Sequence, residues 1–385
     1  MRKTATACVA LAAVLTAAPA VAQDVKFVGI FEMSGPGTTA GTNFKNGADL
    51  AIKEINAMGG ILGRKIAITS SDTASNPTTA KALAQKAVDE QPYILLGPVF
   101  SGSVLSSMIV AQEAGLPQWI GGEAANITQQ GNPFVFRTSF SQAQSMPKIA
   151  NYIAGDLKAK SIAVAWVNND FGKGGRDQIA KEMGSRNVKV VADLSTEPGQ
   201  VDFSAVVTRA KQSNPDVLFV YLNEEESARL LRELKKQGWD MKKNPVVGET
   251  TLIGQKVIEL AGDAANGAQA HVGLTIDAPN PLLTAFAAKY EAAYKAKSDH
   301  NGIKGYTGVY VIKAVTEKLG KFDRKAFAEA MKTAQVSAKD NPGVLMSVCF
   351  NKDGDLDRDS YLAVVKDGKQ VIEKTLPPVG ICKVP

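Results

Sequence analysis

Short apolar segments alternate with amphipathic segments along almost the whole chain. Val25–Phe31 is a run of apolar, β-favouring residues, which is typical of a strand buried on both faces of a parallel sheet. In the next segment the apolar positions recur at i, i+3, i+4 and i+7, at Ala48, Ala51, Ile52 and Ile55. This spacing predicts a helix with one apolar face. Gly59 and Gly60 follow directly, and glycine is favoured where a helix ends.

The alternation continues in two series. The first predicts strands over 65–70, 93–96, 118–120 and 134–137, with helices over 77–89 and 103–114. The second predicts strands over 161–167, 188–192 and 217–221, with helices over 173–183, 203–212 and 225–237. Helices over 282–297, 306–319 and 324–333 and a hairpin over 361–373 follow. We therefore expect an α/β protein with two doubly wound parallel-sheet lobes.

Residues 1–22 have the features of a secretory signal peptide. Arg2 and Lys3 precede an apolar run, and Ala20-Val21-Ala22 forms a small-x-small end. We expect cleavage after Ala22, with a retained signal anchor as the alternative. Cys8 lies inside the apolar run, too early for a lipid-attachment cysteine. Since no other stretch approaches the roughly 20 apolar residues of a membrane span, the sequence predicts a soluble protein of the periplasm.

The length, charge and cysteine content of the mature chain indicate its number of domains, its possible partners and its disulfide bonding. Removal of residues 1–22 leaves 363 residues, enough for two domains, and lowers the formal net charge from +6 to +4. The basic residues are scattered, so we expect no nucleic-acid partner. Cys349 and Cys382 remain. In an oxidising compartment we expect them to form a disulfide within the second lobe, and two unpaired buried thiols are the alternative.

The sequence offers little for catalysis. His271 and His300 are its only histidines, and the common hydrolase and metalloprotease motifs are absent. Asp353, Asp355 and Asp357 suggest a calcium loop, but the glycine and glutamate of an EF-hand are not in place. The acidic run therefore predicts a solvated turn. We expect a protein that is not an enzyme and that uses no metal and no cofactor.

Polar segments follow several predicted strands, at the edge where open α/β sheets bind ligands. Ser101-Gly102-Ser103 opens a helix, where serine either caps the helix or, with free N–H groups, holds an anion such as a carboxylate. The small residues of the loop 121–126 allow the backbone to approach a ligand. The acidic run 224–226 either stabilises a helix N-terminus or presents Asn223 or Glu224 to a cleft.

The segment 31–72 closely resembles the beginning of the leucine/isoleucine/valine-binding proteins, the periplasmic receptors of bacterial ABC importers. The resemblance rests on Met33-Ser34-Gly35-Pro36, Asn46-Gly47-Ala48, the segment 52–61, Gly63-Arg64-Lys65 and Asp72. It extends over essentially the whole mature chain and is densest up to Thr138. It implies a type I periplasmic binding protein, with two lobes joined by a three-strand hinge.

Carried over from the family, the hinge crossings fall near residues 140–146, 270–277 and 345–350. We therefore expect a first lobe of residues 24–143 plus 275–348. The second lobe would comprise residues 144–274 plus 349–385.

The resemblance also implies a function without a reaction. A monomeric receptor would capture a small solute between the lobes, an amino acid of the branched-chain or a related hydrophobic type, and deliver it to a membrane permease. In the family two loops hold the carboxylate and the ammonium of the amino acid. The expected ligand-binding residues here are Ser101, Gly102, Ser103, Gly122, Glu123, Ala125, Asn223, Glu224, Glu249 and Thr250.

The chain departs from the family pattern at several of these positions. Ala125 stands where the family has a hydroxyl for the ammonium, and Asn223 or Glu224 stands where it often has a tyrosine. The partner of an ammonium is then Glu123, Glu224 or Glu249, or the ligand has no amine. The first alternative is therefore a receptor of the same fold for an aromatic carboxylate or amide. The alternative of another class is a secreted hydrolase.

Overall fold

The computed structural model describes residues 23–385, so the expected signal peptide and its cleavage site lie outside the described residues. The first main sheet has five parallel strands in the order β2-β1-β3-β4-β5. Its strands are β1 (Val25–Phe31), β2 (Ile66–Asp72), β3 (Ile94–Leu96), β4 (Gln118–Ile120) and β5 (Val135–Arg137). The connecting helices are α1 (Thr38–Ala57), α2 (Pro77–Asp89) and α3 (Ser101–Glu113).

The second main sheet has seven strands and begins after α4 (Gln142–Asn151). Its parallel strands are β6 (Ser161–Val167), β7 (Lys189–Thr196), β8 (Val217–Tyr221), β9 (Val246–Gly248) and β10 (Gln269–Val272). The helices between them are α5 (Asp170–Gly184), α6 (Ser204–Gln212), α7 (Glu224–Lys236), α8 (Thr250–Ile253) and α9 (Gln255–Ala261).

The last part of the chain returns to the first lobe and then completes the second. Helices α10 (Pro281–Tyr294), α11 (His300–Leu319) and α12 (Arg324–Met331) precede a small antiparallel sheet of β11 (Gln335–Val336), β12 (Val348–Phe350) and β13 (Leu356–Asp357). The hairpin of β14 (Ser360–Lys366) and β15 (Lys369–Leu376) adds to the second sheet through an antiparallel pairing of β14 with β10. The predicted α/β fold with two doubly wound parallel-sheet lobes, typical of a type I periplasmic binding protein, is confirmed.

The chain crosses between the lobes three times: from β5 to α4, from β10 to α10, and from β13 to β14. The third crossing lies at Arg358, later than the expected 345–350. Val348, Phe350 and Leu356 pack in the core of the first lobe because the small sheet that carries them covers it. The expected boundary between residues 348 and 349 therefore falls inside β12.

Close packing of α1 against α11 fixes the start of α11 at the space between the lobes. A Cβ on Gly47 would lie 1.9 Å from the carbonyl oxygen of Gly302, and one on Gly305 would lie 2.0 Å from that of Phe44. Only glycine allows the two backbones to approach this closely. The predicted apolar stripe of α1 is buried in the same contact.

Cys349 and Cys382 are joined by a disulfide. Cys349 lies in β12, so the bridge ties the C-terminal tail to the small sheet of the first lobe rather than lying within the second lobe as expected. Within residues 23–385, no helix is both long and apolar enough to cross a membrane.

Candidate functional site

Three helices begin at the space between the lobes. Ser101 opens α3 and His300 opens α11 in the first lobe, and Glu224 opens α7 in the second. The N-terminus of a helix carries a partial positive charge and N–H groups without an intrahelical partner. Their convergence therefore favours an anionic group between the lobes.

Two small adjoining cavities occupy this space. The first, here called the outer cavity, is lined by Ala40, Val99, Phe100, Ser101, Gly121, Glu123, Phe171, Asn223, Glu224, Thr251, His300, Asn301 and Lys304. The second, the hinge cavity, is lined by Glu123, Ser139, Phe140, Ser145, Glu249, Thr250, His271, Gly273, Leu274, His300, Lys304 and Arg358. Glu123, His300 and Lys304 line both, so one solute can contact both cavities.

Ser101 presents its hydroxyl to the outer cavity. Its Oγ accepts a hydrogen bond from the backbone N–H of Ala124 at 3.2 Å. The hydroxyl proton is therefore left to donate to a ligand. Because the free N–H groups of the first turn of α3 lie beside it, this side of the outer cavity is suited to a carboxylate.

Glu224 joins the two lobes on the opposite side. Its Oε1 accepts a hydrogen bond from Asn301 Nδ2 at 3.2 Å and lies 4.0 Å from His300 Nε2. Burial raises the pKa of Glu224 to about 8, and the neighbouring Asp299 and Glu225 add to the shift. Burial also raises the pKa of Asp299 to about 6 and lowers that of His300 well below its usual value.

Glu224, Asp299 and His300 are also the group that comes nearest to a metal site among the described residues. One potential ligand atom from each lies within 4.8 Å of the others. Asp299 already accepts hydrogen bonds from the N–H groups of Asn301 and Gly302, at 2.8 and 3.1 Å. A metal ion would therefore compete with the cap of α11, and the sequence expectation of no metal stands as a prediction.

Lys304 and Glu123 form an ion pair between the two cavities. Lys304 Nζ lies 2.6 Å from Glu123 Oε1 and also donates to Asn301 Oδ1 at 3.2 Å. Both residues belong to the first lobe. The charge of Glu123 is thus balanced within the protein, which makes this carboxylate a poor partner for the ammonium of a ligand.

Glu249 and His271, both from the second lobe, form the polar wall of the hinge cavity. His271 Nδ1 lies 2.7 Å from Glu249 Oε2. Burial raises the pKa of Glu249, against the opposing effect of His271. Glu249 Oε1 and His271 Nε2 are both buried without a hydrogen-bond partner in the described chain. A buried polar atom without a partner is costly, so both atoms are suited to contact a ligand.

A buried network supports the loop that carries Glu123. The guanidinium of Arg137 donates to the carbonyl oxygens of Gly122 and Ala124, each at 3.0 Å, and to Asp355 Oδ1 at 2.8 Å through Nε. Asp355 Oδ2 accepts in turn from Thr128 and Gln144. Arg137 therefore holds the Glu123 loop in place through hydrogen bonds to the backbone carbonyl groups of that loop.

The predicted solvated turn over the acidic run is wrong for two of its three members. Asp355 is buried in the network around Arg137, and Asp357 is buried because it accepts hydrogen bonds from the backbone N–H groups of Arg358, Val379 and Gly380. Apart from the adjacent N–H of Arg358, the donors to these two carboxylates thus lie more than 20 residues away in the chain.

Six of the expected ligand-binding residues line the cavities: Ser101, Glu123, Asn223, Glu224, Glu249 and Thr250. Gly102, Ser103, Gly122 and Ala125 do not. Gly102 faces Asp170 of α5, and Gly122 packs against Val99, Val104 and Ile127. Ser103 Oγ points into the protein, fully buried and without a partner, and the N–H of Ala125 faces Gln142.

Sequence reasoning missed Lys304, His300, His271 and Arg358 as cavity residues. Lys304 and His300 could have been predicted from the sequence. Asp299 caps α11 by accepting hydrogen bonds from the N–H groups of Asn301 and Gly302, and the helix therefore begins before the predicted residue 306. An aspartate before a helical segment is a recognisable start signal. No local pattern marks His271 or Arg358, since each reaches the cavity through a crossing between the lobes.

Comparisons with known proteins agree with this architecture. The sequence model of the family described as periplasmic binding protein matches residues 24–370. The Leu/Ile/Val-binding protein BraC3 of Rhizobium johnstonii is 30% identical over 358 residues, which cover 91% of this chain and 94% of that relative. The Leu/Ile/Val-binding protein of Escherichia coli K12 is 26% identical, with 88% of this chain and 89% of the relative covered.

Solved structures show the same fold. The leucine-binding protein LivK of Thermotoga maritima matches with a TM-score of 0.82 at 24% identity, covering 92% of this chain and 99% of that one. A solute-binding protein of an ABC transporter from R. palustris, in complex with benzoate, matches with a TM-score of 0.83 at 22% identity, covering 93% and 99%. The chain therefore belongs to the periplasmic binding protein family, alongside the Leu/Ile/Val-binding proteins.

Proposed function

We propose that the protein is the substrate-binding component of an ABC importer, acting as a monomer in the periplasm after removal of residues 1–22. It captures an amino acid between its lobes and delivers it unchanged to a membrane permease, and the Leu/Ile/Val-binding relatives support the branched-chain or related hydrophobic type expected from the sequence. One observation carries the proposal: buried polar groups from both lobes face a single space. Neither histidine ring hydrogen-bonds to a hydroxyl or thiol in residues 23–385, so the pair that a hydrolase needs has no support.

The two ends of an amino acid have separate partners in this proposal. The hydroxyl of Ser101 and the first turn of α3 hold the carboxylate, and Glu249 Oε1 accepts from the ammonium. Ser101 lies in the first lobe and Glu249 in the second. A ligand that contacts both favours the closed arrangement by the free energy of the contacts that only closure provides.

Phe140 and Phe171 favour one second candidate. Both rings line the cavities, and Phe140 also contacts His271 edge to face with centroids 5.6 Å apart. Several structural neighbours hold benzoates, for example 4-hydroxybenzoate in a protein from R. palustris. An aromatic carboxylate would use Ser101 in the same way but would leave Glu249 without a cationic partner.

Calorimetric titration of the mature protein tests the proposal. The ligands are the twenty L-amino acids, benzoate and 4-hydroxybenzoate, and mass spectrometry examines the ligand recovered after incubation. We expect saturable binding of at least one amino acid and recovery of the unchanged compound. Recovery of an altered product would support a hydrolase, and saturable binding of the benzoates alone would support the second candidate.

Glu249→Gln separates the two ligand classes. It removes the charge that would pair with an ammonium, and loss of a charge-assisted hydrogen bond lowers affinity roughly ten- to hundredfold. Benzoate binding should change little. Glu259→Gln is the matched control, because Glu259 is largely exposed and pairs only with Lys256 on the surface of α9.

A further inference from the structure

Arg358 is a buried cation that no carboxylate contacts directly, although the neighbouring Asp357 attracts it from beyond ion-pair distance. Arg358 is 3% exposed, lies on the third crossing and lines the hinge cavity. No carboxylate of residues 23–385 lies within ion-pair distance of its guanidinium, whose one hydrogen bond runs from Nη2 to the carbonyl oxygen of Thr138 at 2.9 Å. Its Nε is buried without a partner. Burial lowers the pKa of Arg358 to about 10, so the group remains charged at neutral pH.

The other basic side chain that lines the hinge cavity, Lys304, is already paired with Glu123 at 2.6 Å. Arg358 is therefore the one lysine or arginine of this cavity, among the described residues, that has no carboxylate within ion-pair distance. An isolated buried charge is strongly unfavourable unless an opposite charge reaches it. The guanidinium contacts Phe140 at 5.3 Å from the ring centroid, but a cation–π contact replaces only part of the lost hydration.

We propose that Arg358 binds a second anionic group of the solute, so that the ligand is a small dicarboxylate, such as an acidic amino acid. This rests on the proposed function and names its substrate class. One carboxylate lies at Ser101 in the outer cavity, and the other lies at Arg358 in the hinge cavity. Ser145 lines the same cavity and offers a hydroxyl donor to the second carboxylate, whereas the hydroxyl of Ser139 already donates to the carbonyl oxygen of Gly121 at 3.3 Å.

The chemistry and the position of Arg358 both favour a carboxylate as its ligand. A guanidinium presents parallel N–H donors that match the two oxygens of a carboxylate. Glu123, His300 and Lys304 line both cavities, so a diacid that spans them would place one carboxylate at each end. A purely apolar side chain, in contrast, would leave Arg358 Nε unpaired.

Pairs of ligands that differ by one carboxylate test the proposal by calorimetric titration. The pairs are L-glutamate with L-glutamine, L-aspartate with L-asparagine, and isophthalate with benzoate, and L-leucine is added as an apolar amino acid. We expect one diacid to bind at least tenfold more tightly than its partner. Arg358→Gln should remove this preference by lowering diacid affinity roughly ten- to hundredfold, while Arg358→Lys should keep part of it.

Lys148→Gln is the matched control. Lys148 is also a buried cation over the Phe140 ring, 4.7 Å from its centroid, but it donates to Ser360 and does not line the hinge cavity. This variant should keep the preference for the diacid. Thermal melts of each variant without ligand show that it folds.

The outcomes separate this inference from the proposed function. If L-leucine, benzoate or the amides bind as tightly as the diacids, or if the preference survives Arg358→Gln, the assignment of Arg358 is overturned while the receptor function stands. If no member of the panel binds but another of the twenty amino acids does, only the assignment of Arg358 fails, and if none of the amino acids or aromatic carboxylates binds, both fail. Tight diacid binding that Arg358→Gln abolishes and Lys148→Gln keeps supports the assignment.

Discussion

The buried pair of Arg137 and Asp355 should be one of the most sensitive points of the fold. Asp355→Ala removes the carboxylate that accepts from Arg137 Nε at 2.8 Å and lies 2.6 Å from its Nη2. It also leaves Thr128 and Gln144 without their acceptor. The guanidinium of Arg137 is fully buried, so water cannot replace the lost partner.

The expected loss follows from these contacts. Removing one member of a buried ion pair typically costs about 3–5 kcal/mol, because the remaining charge stays uncompensated. Arg137 keeps its bonds to the carbonyl oxygens of Gly122 and Ala124, which places the estimate at the lower end, about 3 kcal/mol. That is a large part of the stability of a typical domain, about 5–15 kcal/mol.

Urea unfolding followed by circular dichroism measures this loss as the difference in free energy of unfolding. Asp263→Ala is the control, because Asp263 pairs with Lys235 on the surface, where the two side chains are 75% and 54% exposed. An exposed pair is worth at most about 1 kcal/mol. If Asp355→Ala costs no more than Asp263→Ala, the buried network does not stabilise the fold, and the account of how the Glu123 loop is held is wrong.

Three further predictions follow from the described contacts. Ser101→Ala should weaken carboxylate ligands roughly tenfold in calorimetric titrations, whereas Ser103→Ala should leave affinity unchanged because Ser103 Oγ is buried away from both cavities; equal losses would contradict the site. Replacing Cys349 and Cys382 by alanine should lower the free energy of unfolding by about 3–4 kcal/mol, given their separation of 33 residues, and unreduced denatured protein should show no titratable thiol. The pKa of Glu224 is raised to about 8, so the contribution of this group to stability is present below pH 4.5 and is lost as the pH rises through 8. The urea midpoint should therefore fall less between pH 5 and 8.5 in Glu224→Gln than in the unmodified protein. Equal falls in the two proteins would refute this prediction.

The fold could be predicted because it depends on short-range patterns. The apolar stripe of α1, the glycines at 59 and 60 after it, and the polar segments after strands all appear as local signals. Each corresponds to an element close to its predicted position. The third crossing was misplaced because β12 and β13 are too short to show any periodicity, and only their pairing with β11 assigns them to the first lobe.

The site was less accessible because its charged residues act over long distances in the chain. Glu123 meets Lys304 across 181 residues, and Arg137 meets Asp355 across 218. Ser103 illustrates the opposite error: it lies two residues after Ser101 on the same helix, but this spacing rotates its side chain away from the cavity. The spacing of residues in the sequence indicates which of them share a face of a helix. Which residues that face contacts depends on segments that are distant in the chain.

The distribution of site residues between the lobes determines what each can control. Ser101, Glu123 and Lys304 belong to the first lobe, so their contacts with a ligand are available whether the lobes are open or closed. In the proposed mechanism Glu249 and His271 reach the same ligand only after closure, and only such differential contacts shift the equilibrium between an open and a closed form. Arg358 itself lies on a crossing, so a ligand bound to it would contact a segment that joins the two lobes. First-lobe residues should therefore set how tightly a carboxylate is held, and the second lobe and the hinge should determine which carboxylate closes the protein.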